Sequence, residues 1–96
     1  MRNYELAYIA HPELDEEALK ALEEKVVGWV EAAGGKSAKI DHWGKRKLAY
    51  PIQKQTDGFY LFLQLELPPQ AGVVIERDLR LSEQILRYMI TLQDDI

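Results

Sequence analysis

The chemistry open to this chain is concentrated in one basic run: Lys45, Arg46 and Lys47 stand consecutively and lead straight into Leu-Ala-Tyr-Pro-Ile, giving KRKLAYPI from Lys45 to Ile52. Clustered cations of this kind contact phosphates and release counterions from a polyanion. On an exposed strand the same run can dock a partner protein along the edge. It can also act as a gatekeeper that stops the edge from pairing with another copy. Tyr50 can stack on a base or sugar, but its place just before Pro51 favours packing against a sheet. Elsewhere the chemistry is thin. His11 and His42 are far apart in sequence and there is no cysteine, so a metal site would need carboxylates gathered around one histidine, and none is expected. Glu16, Glu17, Glu23 and Glu24 could be drawn as a general acid and base, yet they read more simply as a solvated helix face. Gly34-Gly35 closes a helix instead of opening one, so no phosphate-cradling loop is formed. An enzyme, a cofactor and a small-molecule substrate are therefore not expected.

The elements that carry the basic run belong to a single small domain. At 96 residues, with 47% hydrophobic and 29% charged residues, the chain has a globular balance and room for one core. The absence of cysteine fits a reducing cytoplasm. No apolar run reaches the roughly 18 residues of a membrane span, and MRNYELAYIAHPELDEE lacks the pattern of a signal peptide. A soluble protein that stays in the cytoplasm is expected. The net charge of −4 argues against nucleic acid, but its distribution does not. Glu13 to Glu31 carries seven acids and two bases, whereas Lys36 to Lys54 carries six bases and one acid. The basic run thus sits in a basic third of an acidic chain.

Periodicity supplies the framework. RNYELAYIA alternates, with Tyr4, Leu6 and Tyr8 on one side and Glu5, Ala7 and Ile9 on the other, as a strand does. Asp15 is placed to cap a helix with Glu16 and Glu17 in its first turn. Leu19, Leu22, Val26, Trp29, Val30 and Ala33 then recur at helical spacing up to Gly34-Gly35. Alternation resumes around Ala38 and Ile40. Gly44 suggests a bulge, and Pro51 marks an edge strand because it has no N–H to give a ladder. Thr56 to Gly58 reads as a turn into the strongest strand, Phe59 to Leu67, with Tyr60, Phe62, Gln64 and Glu66 on its second face. Pro68-Pro69 starts a short helix to about Leu81, with Val74, Ile75 and Leu79 inward, and QILRYMITL closes the set as a strand. The predicted order is βαββαβ, an α+β ferredoxin-like fold: a four-stranded antiparallel sheet with both helices on one face, over residues 1–92, followed by a short acidic tail at 93–96. The other face stays open and carries Ala7, Ile9, Tyr60, Phe62, Arg87 and Met89, an apolar surface that invites a partner.

At these residues the chain resembles a known family. KRKLAYPI with Gly44 before it, GFY at Gly58 to Tyr60, the opening MRNYELAYIAHPELDEE and the closing LRLSEQILRYMI at Leu79 to Ile90 are together similar to the bacterial small-subunit ribosomal protein S6 family. The resemblance covers about residues 1 to 92. It implies a ferredoxin-like domain with a structural role in the cytoplasmic ribosome: binding the central domain of 16S ribosomal RNA together with the small basic ribosomal protein S18 during subunit assembly. The family's basic positions are held here by Arg2, Arg46, Lys47, Lys54, Arg80 and Arg87, which with Lys45 form the expected RNA-binding set. The partner is expected on the basic edge and the open face, at Arg46, Lys47, Tyr50, Tyr60, Phe62 and Met89. Some members carry a charged C-terminal extension; this chain ends at QDDI, so no tail function is expected.

Two other readings of the fold compete. An RNA-recognition module also uses aromatics on its third strand, which Tyr60 and Phe62 echo. Its pattern, however, wants an aromatic where Leu61 stands and a small residue where Tyr60 stands. An acyl-phosphate hydrolase would need an arginine on the loop after the first strand, where His11-Pro12-Glu13 offers none.

Overall fold

The structure is a computed structural model and describes residues 1–93, so all but the first residue of the expected tail at 93–96 lies outside the described residues. Six elements follow in the order β1 (Arg2–Ala10), α1 (Glu16–Ala32), β2 (Lys36–Ile52), β3 (Gln55–Leu67), α2 (Ala71–Leu81) and β4 (Ile85–Leu92). The strands form one antiparallel sheet in the order β2-β3-β1-β4, the ferredoxin-like arrangement read from the sequence.

Alternation decides which face each strand buries. Leu6, Tyr8 and Ala10 of β1 and Leu61, Leu63, Leu65 and Leu67 of β3 point at the helices. They meet Leu22, Val26 and Val30 of α1 and Ala71, Ile75 and Leu79 of α2 in one core. Full burial of each leucine, isoleucine or valine in this set contributes on the order of 1.5–3 kcal/mol before the entropy of ordering is set against it. The Tyr8 phenol has no hydrogen-bond partner among the described residues, and burial, with a smaller effect from the Glu23 charge, pushes its pKa above the ordinary tyrosine value. Asp15 caps α1 as expected: the Ala18 N–H donates to its Oδ1 at 2.7 Å. Gly34 ends the same helix in the left-handed region at φ 89°, where a side chain would be strained.

Four expectations need correction. The turn is not at Thr56–Gly58; β2 and β3 are joined by Gln53-Lys54, both at positive φ, in a two-residue hairpin closed by the pair Ile52–Gln55. A two-residue loop with both residues left-handed matches the strand twist, and here two non-glycine residues accept that conformation. Residues 55–58 are accordingly strand, and Gly58 serves close packing: a Cβ there would lie 2.5 Å from Ile9 Cγ2 and 3.0 Å from the Ala10 carbonyl oxygen. Helix α2 starts at Ala71, after Gln70 in the left-handed region, not at Pro68-Pro69. Finally, Val74 is 40% exposed, because the inward stripe of α2 is Ala71, Ile75 and Leu79 at a spacing of four, which turns Val74 away.

Candidate functional site

The helices cover one face of the sheet, so the other must be judged by what its registers bring together. Directly opposed residues share a face. One row runs Gly44–Tyr60–Ile9–Arg87 and the next Asp41–Phe62–Ala7–Met89. Every open-face residue expected from alternation is therefore gathered on two adjacent rows. Tyr60, Phe62, Ala7 and Ile9 are half-buried, while Met89 is 62% exposed, so the centre of the face is an apolar surface facing water.

A residue that the sequence reading passed over completes that surface. The β2 ladder slips between His42 and Gly44, with Gly44 at φ 78°. This bulge places the Trp43 ring against Phe62, centroid to centroid 4.6 Å and tilted 50°, although 53% of Trp43 remains exposed. Arg46 lies over the same indole, its Cζ 5.5 Å from the ring centre, and its Nε donates to the Trp43 carbonyl oxygen at 3.2 Å. The sequence signal was the bulge-forming Gly44 beside a tryptophan. It indicates a bend but not the direction in which the indole turns.

A second arginine and aromatic meet at the other end of the face. Arg87 of β4 donates to the Tyr50 hydroxyl, and its Cζ lies 5.5 Å from the centre of the Tyr50 ring. These residues belong to opposite edge strands, so the β2–β3 hairpin must bend across the sheet for them to touch. Gln53 of the hairpin tip lines one depression with Arg80 and Arg87, which brings the tip beside the end of α2. Lys54, the next tip residue, stands exposed there. Leu48 and Leu86 are buried outside the main core, and Leu86 Cδ1 would be 3.6 Å from a Cβ on Gly58. Tyr50 thus packs onto Arg87 across the sheet and remains half exposed.

The expected basic residues are consequently divided. Arg46 shares the open face with Gly58, whereas Lys45 and Lys47 oppose Phe59 and Asp57 on alternate registers and point to the helix side. Lys45 reaches Asp57 at 4.0 Å and lies 5.7 Å from the centre of the Phe59 ring. Lys54, Arg80 and Arg87 gather around the hairpin tip. Arg2 joins neither group, since it opens β1 and that strand's two ends are about 26 Å apart at roughly 3.3 Å per residue.

On the helix side a groove between α1 and β2 is lined by Leu19, Phe59 and Leu61, with Glu23 and His42 in contact at its rim. Among the described residues no cluster of histidine and carboxylates has the make-up of a metal site. No helix among the described residues is long and apolar enough to cross a membrane.

The likeness of this chain to known proteins runs through all four strands and both helices. A family model described as ribosomal protein S6 matches residues 3–91. The chain is 43% identical over 90 residues to the small ribosomal subunit protein bS6 of Clostridium novyi, covering 94% of this chain and 95% of that protein. It is 41% identical over 95 residues to the bS6 protein of Caldanaerobacter subterraneus subsp. tengcongensis, covering 99% and 100%. The crystal structure of 30S ribosomal protein S6 from Thermotoga maritima superposes with a TM-score of 0.91 at 30% identity, covering 96% of this chain and 87% of that one.

Proposed function

The chain belongs to the ribosomal protein S6 family, and from that premise we propose that it binds the central domain of 16S ribosomal RNA as a pair with ribosomal protein S18 during assembly of the small subunit. The coarser role is that of the family: a structural protein of the small ribosomal subunit in the bacterial cytoplasm, not an enzyme. Residues 1–92 act in this role as one domain.

The observation that carries the reading is the composition of the open sheet face. It is an apolar centre left uncovered by both helices, with an arginine held on an aromatic ring at two of its margins, Arg46 on Trp43 and Arg87 on Tyr50. Apolar surface of this kind suits a protein partner, and cations at its borders suit phosphate. The chain's own charge of −4 is compatible with this role because a basic partner supplies much of the RNA affinity.

A native gel tests it. The chain is mixed with S18 and a fragment of the 16S central domain, and the expected products are the protein pair and the triple complex. If the chain instead binds a short unstructured RNA by itself, the open face is a base-stacking surface of the RNA-recognition kind. The double variant Tyr60→Ser/Phe62→Ser separates the two: unchanged weak binding of unstructured RNA is expected, whereas stacking platforms would lose about 1–3 kcal/mol per aromatic.

A further inference from the structure

We propose that Trp43 is the anchor of the protein-partner contact, held in place by Phe62 and Arg46, and that the RNA contacts fall to the cations of the hairpin tip. This rests on the reading just given and assigns its two partners to separate parts of the chain. The occupant of the Trp43 patch is a segment of the basic partner protein that lays an apolar side chain against Trp43 and Phe62 and turns a lysine or arginine toward Asp41.

Three observations favour a protein at this patch. Trp43 is half exposed at the margin of an apolar surface, and tryptophan and arginine are among the residues that most often dominate protein interfaces. The indole is not a vacant platform for a base, since Phe62 already packs against it and the Arg46 guanidinium already lies over it. The surrounding charge is mixed: Asp41 stands opposite Phe62 in register with Lys39 at 3.9 Å, and Glu5 lies on the next row with Gln64 donating to it at 3.1 Å. An apolar centre with a rim of both signs is the make-up of a protein interface, and the carboxylates repel phosphate. The hairpin tip is the opposite case. The depression there is lined by Arg80 and Arg87 beside Gln53, with no carboxylate among its described lining residues.

The chain has two tryptophans, so Trp29→Phe leaves Trp43 as the sole indole emitter. With this variant, adding the basic partner alone is expected to move the emission to shorter wavelength as the ring loses water. Trp43→Ala, checked for native circular dichroism, is expected to weaken pairing about 30-fold or more, with Trp43→Phe in between. The salt dependence of RNA binding by the assembled pair stays as in the wild type. Pairing that is intact in Trp43→Ala, with unresponsive emission in the single-tryptophan chain, overturns this inference and leaves the proposed function standing. A response of Trp43 to short unstructured RNA also overturns it, because the ring is then a base platform. If the wild-type chain forms no pair with the basic protein, both the proposed function and this inference fall.

Discussion

The Trp43 patch and the hairpin tip use the same chemical pairing, an arginine on an aromatic ring, and reach it by different routes. Arg46 and Trp43 are three residues apart on one bulged strand, so local backbone geometry is enough to bring them together. Arg87 and Tyr50 are 37 residues apart on opposite edges of the sheet and meet only when the hairpin has closed over it. The first pair is therefore present whenever β2 is paired. The second reports on tertiary closure. Exposed cation–π contacts contribute only about 0.5–1 kcal/mol in either pair, but the long-range pair must also hold two distant segments together, so it is the one that competing phosphate opens more readily. That difference suits a fixed protein contact at the patch and an adaptable RNA contact at the tip.

The largest effect is expected where both regions depend on one residue. Gly58→Val places a branched side chain against Ile9 and the Ala10 carbonyl, and overpacking of a tight site costs about 1–3 kcal/mol or more. The hairpin should then lift, and thermal unfolding should show a clear fall in Tm with both the tip and the patch perturbed. A Gly58→Val protein as stable as the wild type would mean that the hairpin is not seated on β1.

Next in size is the triple change Lys54→Ala/Arg80→Ala/Arg87→Ala. Log affinity of the assembled pair for RNA, plotted against log salt, should become shallower by up to about 2.7, at roughly 0.9 for each phosphate left without its cation. Pairing with the basic protein, measured without RNA, should be unchanged. An unchanged salt slope would remove the tip from the RNA-binding surface.

Tyr50→Phe is a finer test, because it keeps the ring and deletes the hydroxyl that accepts from Arg87. A loss of about 1 kcal/mol or less is expected, typical of one exposed hydrogen bond. Hydrogen exchange should quicken in the hairpin around residues 50–55 and stay constant around Trp43. The smallest effect belongs to Lys45→Ala, whose partners Asp57 and Phe59 lie on the helix side: stability should move by no more than about 0.5–1 kcal/mol, and pairing at the Trp43 patch should not change.

Much of this molecule was legible in its sequence because the deciding signals are local. The alternation of Phe59 to Leu67 depends only on a two-residue period and on water excluded from one side. Asp15 caps α1 with an oxygen that accepts from an N–H only three residues on, and Gly34 supplies a left-handed residue that few others tolerate. Pro51 marks an edge strand because it lacks a donor. Together these signals determined the order of elements, the single antiparallel sheet and the open-face residues of β1, β3 and β4. The basic run was equally plain as composition.

What the run faces was decided by tertiary structure. Strand pairing sends Arg46 to the open face and Lys45 and Lys47 to the other, and a one-residue bulge at Gly44 turns Trp43 onto Phe62. Val74 looked like a core residue because its neighbour Ile75 is one, yet the helix packs on a stripe of every fourth residue. Gly58 resembled a turn residue until the approach of Ile9 showed that space, not φ, is what it provides. The meeting of Tyr50 with Arg87 depends on how far the hairpin bends over the sheet. Such contacts arise from the close approach of segments distant in sequence, and a period, a cap or a composition carries no information about that distance.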